Sequence, residues 1–225
     1  MNIIYKPTKG PECWKGFLAK PQLHWKSGRS AKSMAYAWEH YRGLPERIAV
    51  ALSSISEDIE PLIVIPEYKV ALPGGGRKSQ NDAFLLSRLG ERTACIMIEG
   101  KVSEPFGPDL KTWLEPQTKN KMIRLDGLTQ ILCLEAKPPE HIRYQLLHRT
   151  ASALITAQKF KTHLAIMLVH SFSQKHEWFD DFKHFAALMQ TSNTPKIGAI
   201  EKVGTKTDIP LYIGWVNGEK RFLKK

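Results

Sequence analysis

GGGRKSQNDAFLLSRLGERTACIMIEGKV, residues 74–102, opens on three glycines and runs into two strand-like segments, NDAFLLSR and TACIMIEGKV, that flank Leu89, Gly90 and Glu91. That pattern predicts an antiparallel hairpin. With the turn centred between Gly90 and Glu91, positions whose numbers sum to 181 face one another, and Asp82 stands opposite Glu99. Cβ atoms of opposed residues lie about 4.5–5.5 Å apart, close enough for two carboxylates to share one divalent cation. Glu99 and Lys101 are two apart on one strand, so they project from one face, while Gly100 between them sends no side chain to the other. Hard oxygen donors suit Mg2+ or Mn2+, which can polarise a phosphoryl oxygen and lower the pKa of an attacking water; the lysine could orient or help deprotonate that water. A bare carboxylate pair would repel itself. The competing reading makes Asp82 an ordinary loop residue after the glycines and Glu99 with Lys101 a surface ion pair.

Upstream, residues 1–28 are broken by Pro7, Gly10, Pro11, Gly16, Pro21 and Gly28 and read as an irregular basic arm, or short pieces, packed on the body. Ser30 then introduces AKSMAYAWEHYRG, helical by its alanines and by the stripe Ala31, Met34, Ala35 and Trp38, with Gly43 ending it. LPERIAVALSSI reads as a second short helix, and PLIVIPEYKVAL as a strand interrupted by Pro66. Downstream, DLKTWLEP and NKMIRLDGLTQILCL predict helices, the second with Met122, Leu125, Leu128, Ile131 and Leu132 on one face. PEHIRYQLLHRTASALITAQKF is a longer helix with a sheet-facing stripe. THLAIMLVHSF, whose apolar run does not alternate, is a central strand. A helix over 176–190 follows, and LYIGWV and KRFLKK suggest one or two late strands. The order predicts a single mixed α/β domain over 29–225.

The chain has 225 residues, 42% hydrophobic, enough for a full core. Cys13, Cys95 and Cys133 are odd in number, widely spaced and without a CxxC pair, which argues against a disulfide framework or a zinc ribbon and for reduced thiols. No stretch approaches 18 apolar residues and no secretory apolar region follows the first lysine, so a soluble cytoplasmic protein with no membrane partner is expected. Lys and Arg number 33 against 22 Asp and Glu, net +11, of which residues 1–50 carry +6 from nine basic residues and three glutamates. Clustered cations gain free energy by neutralising phosphates, so a nucleic-acid partner is favoured; a solvated basic surface is the alternative.

An acid after a glycine-rich turn, followed by a hairpin ending in Glu-x-Lys, resembles the active-site signature of the PD-(D/E)XK nuclease-like, or restriction-endonuclease-like, superfamily. The resemblance implies an α-β-β-β-α-β core over residues 30–172, with extra helices and C-terminal additions. It matches Asp82 to the metal-binding acid, Glu99 to the second acid and Lys101 to the lysine. Asn81 stands where many members have proline, and the helices near 109–116 and 121–134 interrupt the minimal core. SAKSMAYAWE, IEGKVSEPFGP and RYQLLHRTASA also resemble stretches of uncharacterised bacterial proteins of unknown function.

Other positions are weighed beside these. Glu39 matches a first-helix glutamate that helps hold metal or water in some superfamily members, or it is a solvent-facing residue of an amphipathic helix. Gln145, His148 and Arg149 fall within about one helical turn and could reach phosphates or buttress the carboxylates. Alternatively, His148 is a satisfied histidine at the edge of the helix–sheet interface. Arg77 and Lys78 follow the glycines and are candidate phosphate contacts, although the segment lacks the spacing of a phosphate loop. Glu67-Tyr68-Lys69 and Glu135-Ala136-Lys137 repeat the Glu-x-Lys pattern. Pro66 disrupts the first, which has no well-placed acid before it; the second could take Asp126 as its partner and stands as a competing site, although GLTQILCL reads better as the end of a helix and two prolines follow Lys137. The histidines include no HExxH, and no Ser-His-Asp or Cys-His arrangement appears. The function expected is Mg2+- or Mn2+-dependent phosphodiester hydrolysis of nucleic acid, with DNA favoured and no sequence specificity assignable. The alternative is a catalytically inactive nuclease-like fold that binds nucleic acid or protein, and a homodimer is allowed.

Overall fold

A computed structural model describes residues 8–225. The elements in chain order are α1 (Pro21–His24), α2 (Ser30–His40), α3 (Glu46–Leu52), β1 (Ile59–Val70), β2 (Ser79–Leu89), β3 (Arg92–Lys101), α4 (Leu110–Leu114), α5 (Lys119–Ile131), α6 (Tyr144–Phe160), β4 (Leu164–Ser171), α7 (Phe179–Leu188), β5 (Ala199–Lys202) and β6 (Leu211–Asn217). The six strands form one sheet in the order β1-β2-β3-β4-β6-β5. β1, β2 and β3 are antiparallel neighbours, β4 joins β3 and β6 in parallel, and β5 closes the far edge antiparallel to β6. The fold is thus mixed α/β, a central sheet with helices on both faces.

Alternation along the strands explains the two layers. In β3, Cys95 and Met97 face the layer of α5, α6 and α7, while Ala94, Ile96 and Ile98 face that of α2 and α3. β4 is buried at every residue, as a parallel central strand covered on both sides must be. Gly127, inside α5, lies against Pro73: a Cβ there would come within 2.5 Å of that ring, so close approach explains a glycine that helix propensity disfavours.

Three expectations change. KRFLKK is a 3-10 helix, Lys220–Lys224, not a strand: Phe222 is buried against His40 and Tyr41, which anchors a short turn rather than a sheet edge. The last antiparallel strand is instead β5, whose four residues are too few to carry a periodic signal. Pro66 does not interrupt its strand, because β1 lies at the sheet edge, where a missing N–H is tolerated. The arm consists of short pieces, as expected: a 3-10 helix over Pro11–Phe17 and then α1. Its Trp14 is buried and donates from Nε1 to Glu39 Oε1 at 2.8 Å, tying it to α2. Residues 1–7 of that arm lie outside the described residues.

Candidate functional site

The hairpin register is the one that the turn dictates: Ala83 pairs with Ile98, so the next positions outward are Asp82 and Glu99. Here the ladder ends, and the strand ends open into a cleft of about 480 Å³. Asp82, Glu99, Lys101, Gln145, His148, Arg149 and Arg77 all line it. Leu18, Ala19 and His24 of the arm form part of its wall.

Glu99 is buried, 2% exposed, and accepts from three donors. Its Oε1 accepts from Lys101 Nζ at 2.6 Å and Gln145 Nε2 at 2.7 Å, and its Oε2 from Arg149 Nε at 2.5 Å. Burial alone would raise its pKa, but the charges of Arg149 and Lys101 and their hydrogen bonds outweigh it and hold the carboxylate below the ordinary range. Helical spacing makes this possible: Gln145 and Arg149, four residues apart on α6, lie on one face and reach down together onto β3. Lys101 also donates to Gln145 Oε1 at 3.0 Å, so two of its three N–H groups are engaged in hydrogen bonds, and its ammonium lies 4.9 Å from the centroid of the Phe106 ring.

Asp82 is different. Its Oδ2 accepts from the Gly100 backbone N–H at 2.6 Å. Burial, then the negative charges of Glu99 and Glu67, push its pKa well up, against the weaker opposing pull of Arg149 and Lys101. Two carboxylates on neighbouring strands are therefore in opposite states, one pinned as an anion and one driven towards its protonated form.

His148 is linked to the same network through Ser79. Arg149 donates from Nη1 to Ser79 Oγ at 2.9 Å, and the same hydroxyl shares a hydrogen bond of 2.9 Å with His148 Nδ1. Enclosure and then the charges of Arg149, Arg124 and Lys101 drive the His148 pKa well down, which favours the neutral ring.

Glu67, set aside in the sequence because of Pro66, belongs to the cleft. It lies between the pairs Pro66↔Ala83 and Tyr68↔Asn81, across from Asp82, with a left-handed φ of 53°. Glu67, Asp82 and Glu99 thus follow one another across β1, β2 and β3. Gln80 Nε2 donates to Glu67 Oε2 at 2.6 Å. Counting the register back from the glycine turn would have found it. Ser79, Tyr144 and Glu104 were also missed; Glu104 accepts from the Ser30 backbone N–H and hydroxyl at the start of α2. Two expected residues stand apart: Glu39 is taken by the Trp14 indole, and neither it nor Lys78 lines the cleft.

Among the described residues no three or more His, Cys, Asp or Glu side chains form a group that could hold a metal ion. The donor atoms that remain suit a more open arrangement. Glu99 Oε1 already receives two donors, but its Oε2 keeps a lone pair, and so does Asp82 Oδ2, while Asp82 Oδ1 receives none of the hydrogen bonds described. Mg2+ is commonly held by one or two carboxylates, keeping waters or taking phosphate oxygens at its other positions, and the pair fits that mode.

No curated protein matches the chain. No solved structure matches it either. A family model does, over residues 7–220, and on that match the chain belongs to the family described as a domain of unknown function, DUF6946.

Proposed function

We propose that this protein is a metal-dependent phosphodiesterase acting on nucleic acid, with DNA as the favoured substrate, built on a PD-(D/E)XK nuclease-like core. The observation that carries the reading is the meeting of Asp82 and Glu99 from adjacent strands in one open cleft, with Lys101, Gln145 and Arg149 gathered on the same carboxylate. The order α2, β1, β2, β3, α6, β4 supports it, since it is the order that the resemblance implies. The net charge of +11 supports a polyanionic substrate. A reducing, cytoplasmic setting fits the free thiols Cys13, Cys95 and Cys133.

Asp82 and Glu99 would hold Mg2+ or Mn2+. When bound, the ion would supply charge stabilisation at the phosphoryl group and a more acidic water. Lys101 orients the attacking water. Arg149 has Nη2 left beyond its bonds to Glu99 and Ser79, and Arg77 stands at the cleft edge; both favour an anionic phosphate. His148, held neutral, offers a donor without adding charge.

A second reading has its own support. Two buried cations already balance Glu99, which is how a non-catalytic binding module would keep such a carboxylate. The test is incubation of wild type, Asp82→Asn and Lys101→Ala with linear, nicked, supercoiled and single-stranded DNA in Mg2+ or Mn2+, with an EDTA control and metal calorimetry. The nuclease reading expects cleavage lost in Asp82→Asn, and in Lys101→Ala a rate reduced about 10²–10⁴-fold with metal binding kept. Wild type that takes up no divalent ion and cuts none of these substrates leaves the binding module.

A further inference from the structure

The cleft does not end at Arg77. That residue also lines a second groove of about 220 Å³, together with Trp113, Asn120, Lys121, Arg124 and the glycine turn. Gly74, Gly75 and Gly76 are consecutive left-handed residues, with φ of +76°, +67° and +70°. A Cβ on Gly75 or Gly76 would meet nothing within 4 Å, so this part of the groove is bare backbone beside open space. Arg124 fastens the turn, donating from Nε to Pro73 O at 3.1 Å and from Nη2 to Gly75 O. Tyr144, in the wall of the cleft, stacks on Trp113 of the groove at 3.9 Å and 11°, so one aromatic pair runs from one cavity to the next.

The groove's charge is one-sided. Arg77, Lys121 and Arg124 line it, no carboxylate does, and none of the three enters an ion pair among the described residues. In the cleft next door, by contrast, Lys101 and Arg149 are bound to Glu99. Three unbalanced cations along a side-chain-free turn are arranged for repeated negative charge at close approach. Trp113 is already engaged, by Tyr144 on its ring and by Lys121 Nζ 5.8 Å from its centroid, so it offers no free platform for a base.

We propose that this groove carries the sugar–phosphate backbone of a nucleic-acid strand leading out of the cleft, and holds it through phosphates without reading bases. The inference rests on the proposed action on nucleic acid and names the path that the strand takes. It explains why the basic residues beside the glycines lack a carboxylate partner, Lys121 and Arg124 donating instead to backbone carbonyls, while Lys101 and Arg149 are paired with Glu99.

Binding separates this inference from catalysis. Fluorescein-labelled single strands of about 20 nucleotides, one oligo(dT) and one of mixed sequence, are titrated by anisotropy in EDTA at several KCl concentrations. Compared are wild type, Arg77→Glu/Lys121→Glu, and Lys159→Glu/Lys196→Glu, a charge-matched pair of exposed lysines away from the groove. Arg124 is left in place because it clamps the turn, and circular dichroism checks the fold of each variant. The expected result is more than about tenfold weaker binding for the Arg77/Lys121 pair. Its slope of log K against log salt should be shallower by about 1.4, two phosphates at roughly 0.7 each. The control pair should change affinity less than about threefold, and the two sequences should bind alike. Equal losses in both pairs, or a strong sequence preference, overturn the groove while leaving the nuclease reading to its own cleavage test. Wild type that binds neither strand likewise overturns the groove, and the nuclease reading again stands or falls by its cleavage test.

Discussion

Glu99→Gln is the substitution on which the structure speaks most directly. It removes one negative charge from between Lys101 Nζ at 2.6 Å and Arg149 Nε at 2.5 Å, with Lys101 3% and Arg149 7% exposed. At an effective dielectric constant near 20, each contact represents about 6 kcal/mol of attraction. Desolvation of the three ions cancels much of that, and removing one partner of a buried pair leaves a net loss of about 3–5 kcal/mol. For a chain of this length that corresponds to a fall in melting temperature on the order of 10 °C. Urea and thermal unfolding, followed by circular dichroism, measure it. The loss should persist in about 0.5 M KCl, because buried pairs are little screened. Glu99→Leu/Lys101→Met/Arg149→Met should recover much of it, since no ion is then left stranded. A Glu99→Gln protein within about 1 kcal/mol of wild type would refute the reasoning, because the two cations would then be reaching water. A bare carboxylate pair would repel itself, but the geometry confines any gain from removing one of the two to Asp82.

Asp82→Asn should be at least as stable as wild type at neutral pH, because the amide still accepts from Gly100 and no longer faces Glu99 and Glu67 as an anion. A carboxyl whose folded pKa is raised loses stability as pH climbs above the unfolded value, so the advantage of the variant should shrink as pH falls towards 4, as urea midpoints across pH will show. His170 is pushed down to about 3 by burial and then by the charge of Arg47, and its Nδ1 accepts from Trp38 Nε1 at 3.4 Å. Its contribution is complete above the unfolded pKa near 6.5 and drains at about 1.4 kcal/mol per unit as pH falls from there towards 3. His170→Gln should flatten that part of the stability profile. Gly100→Ala would set a Cβ 2.6 Å from Met34 Cγ and 3.2 Å from Asp82 Oδ2. It should destabilise by about 1–3 kcal/mol in urea titration by forcing α2 off β3.

What could be read from the residues was whatever depends on short separation. A two-residue alternation and a glycine turn fix a hairpin register, so the opposition of Asp82 and Glu99 was accessible by counting. The non-alternating run in β4 likewise marked a strand covered on both faces. What a distant element delivers was less accessible. Gln145 and Arg149 could be set near the carboxylates from their spacing on α6, but their concentration on Glu99, leaving Asp82 to its neighbours' negative charge, depends on how a helix 46 and 50 residues away lies across the sheet. Glu67 was hidden by a local rule, that proline breaks strands, which does not hold at a sheet edge. Glu39 misled in the opposite direction: its helix was right, but the buried Trp14 of the arm claims its carboxylate.

The arrangement of the sheet also bears on the order in which it assembles. β1, β2 and β3 are joined by short turns, whereas Ala94 on β3 meets Leu164 on β4 across 70 residues of chain. Closing that span carries a larger entropic penalty than closing a hairpin, so the meander is expected to form first and the parallel half later. Glu67, Asp82 and Glu99 all ride on the early part, where Lys101 and Arg77 are the cations of the cleft, and Arg149 reaches them only when α6 docks. Until then three acids line one edge with little to balance them. Folding should therefore accelerate at mildly acid pH or with added Mg2+, a dependence that stopped-flow refolding can register and that a meander formed last would not show.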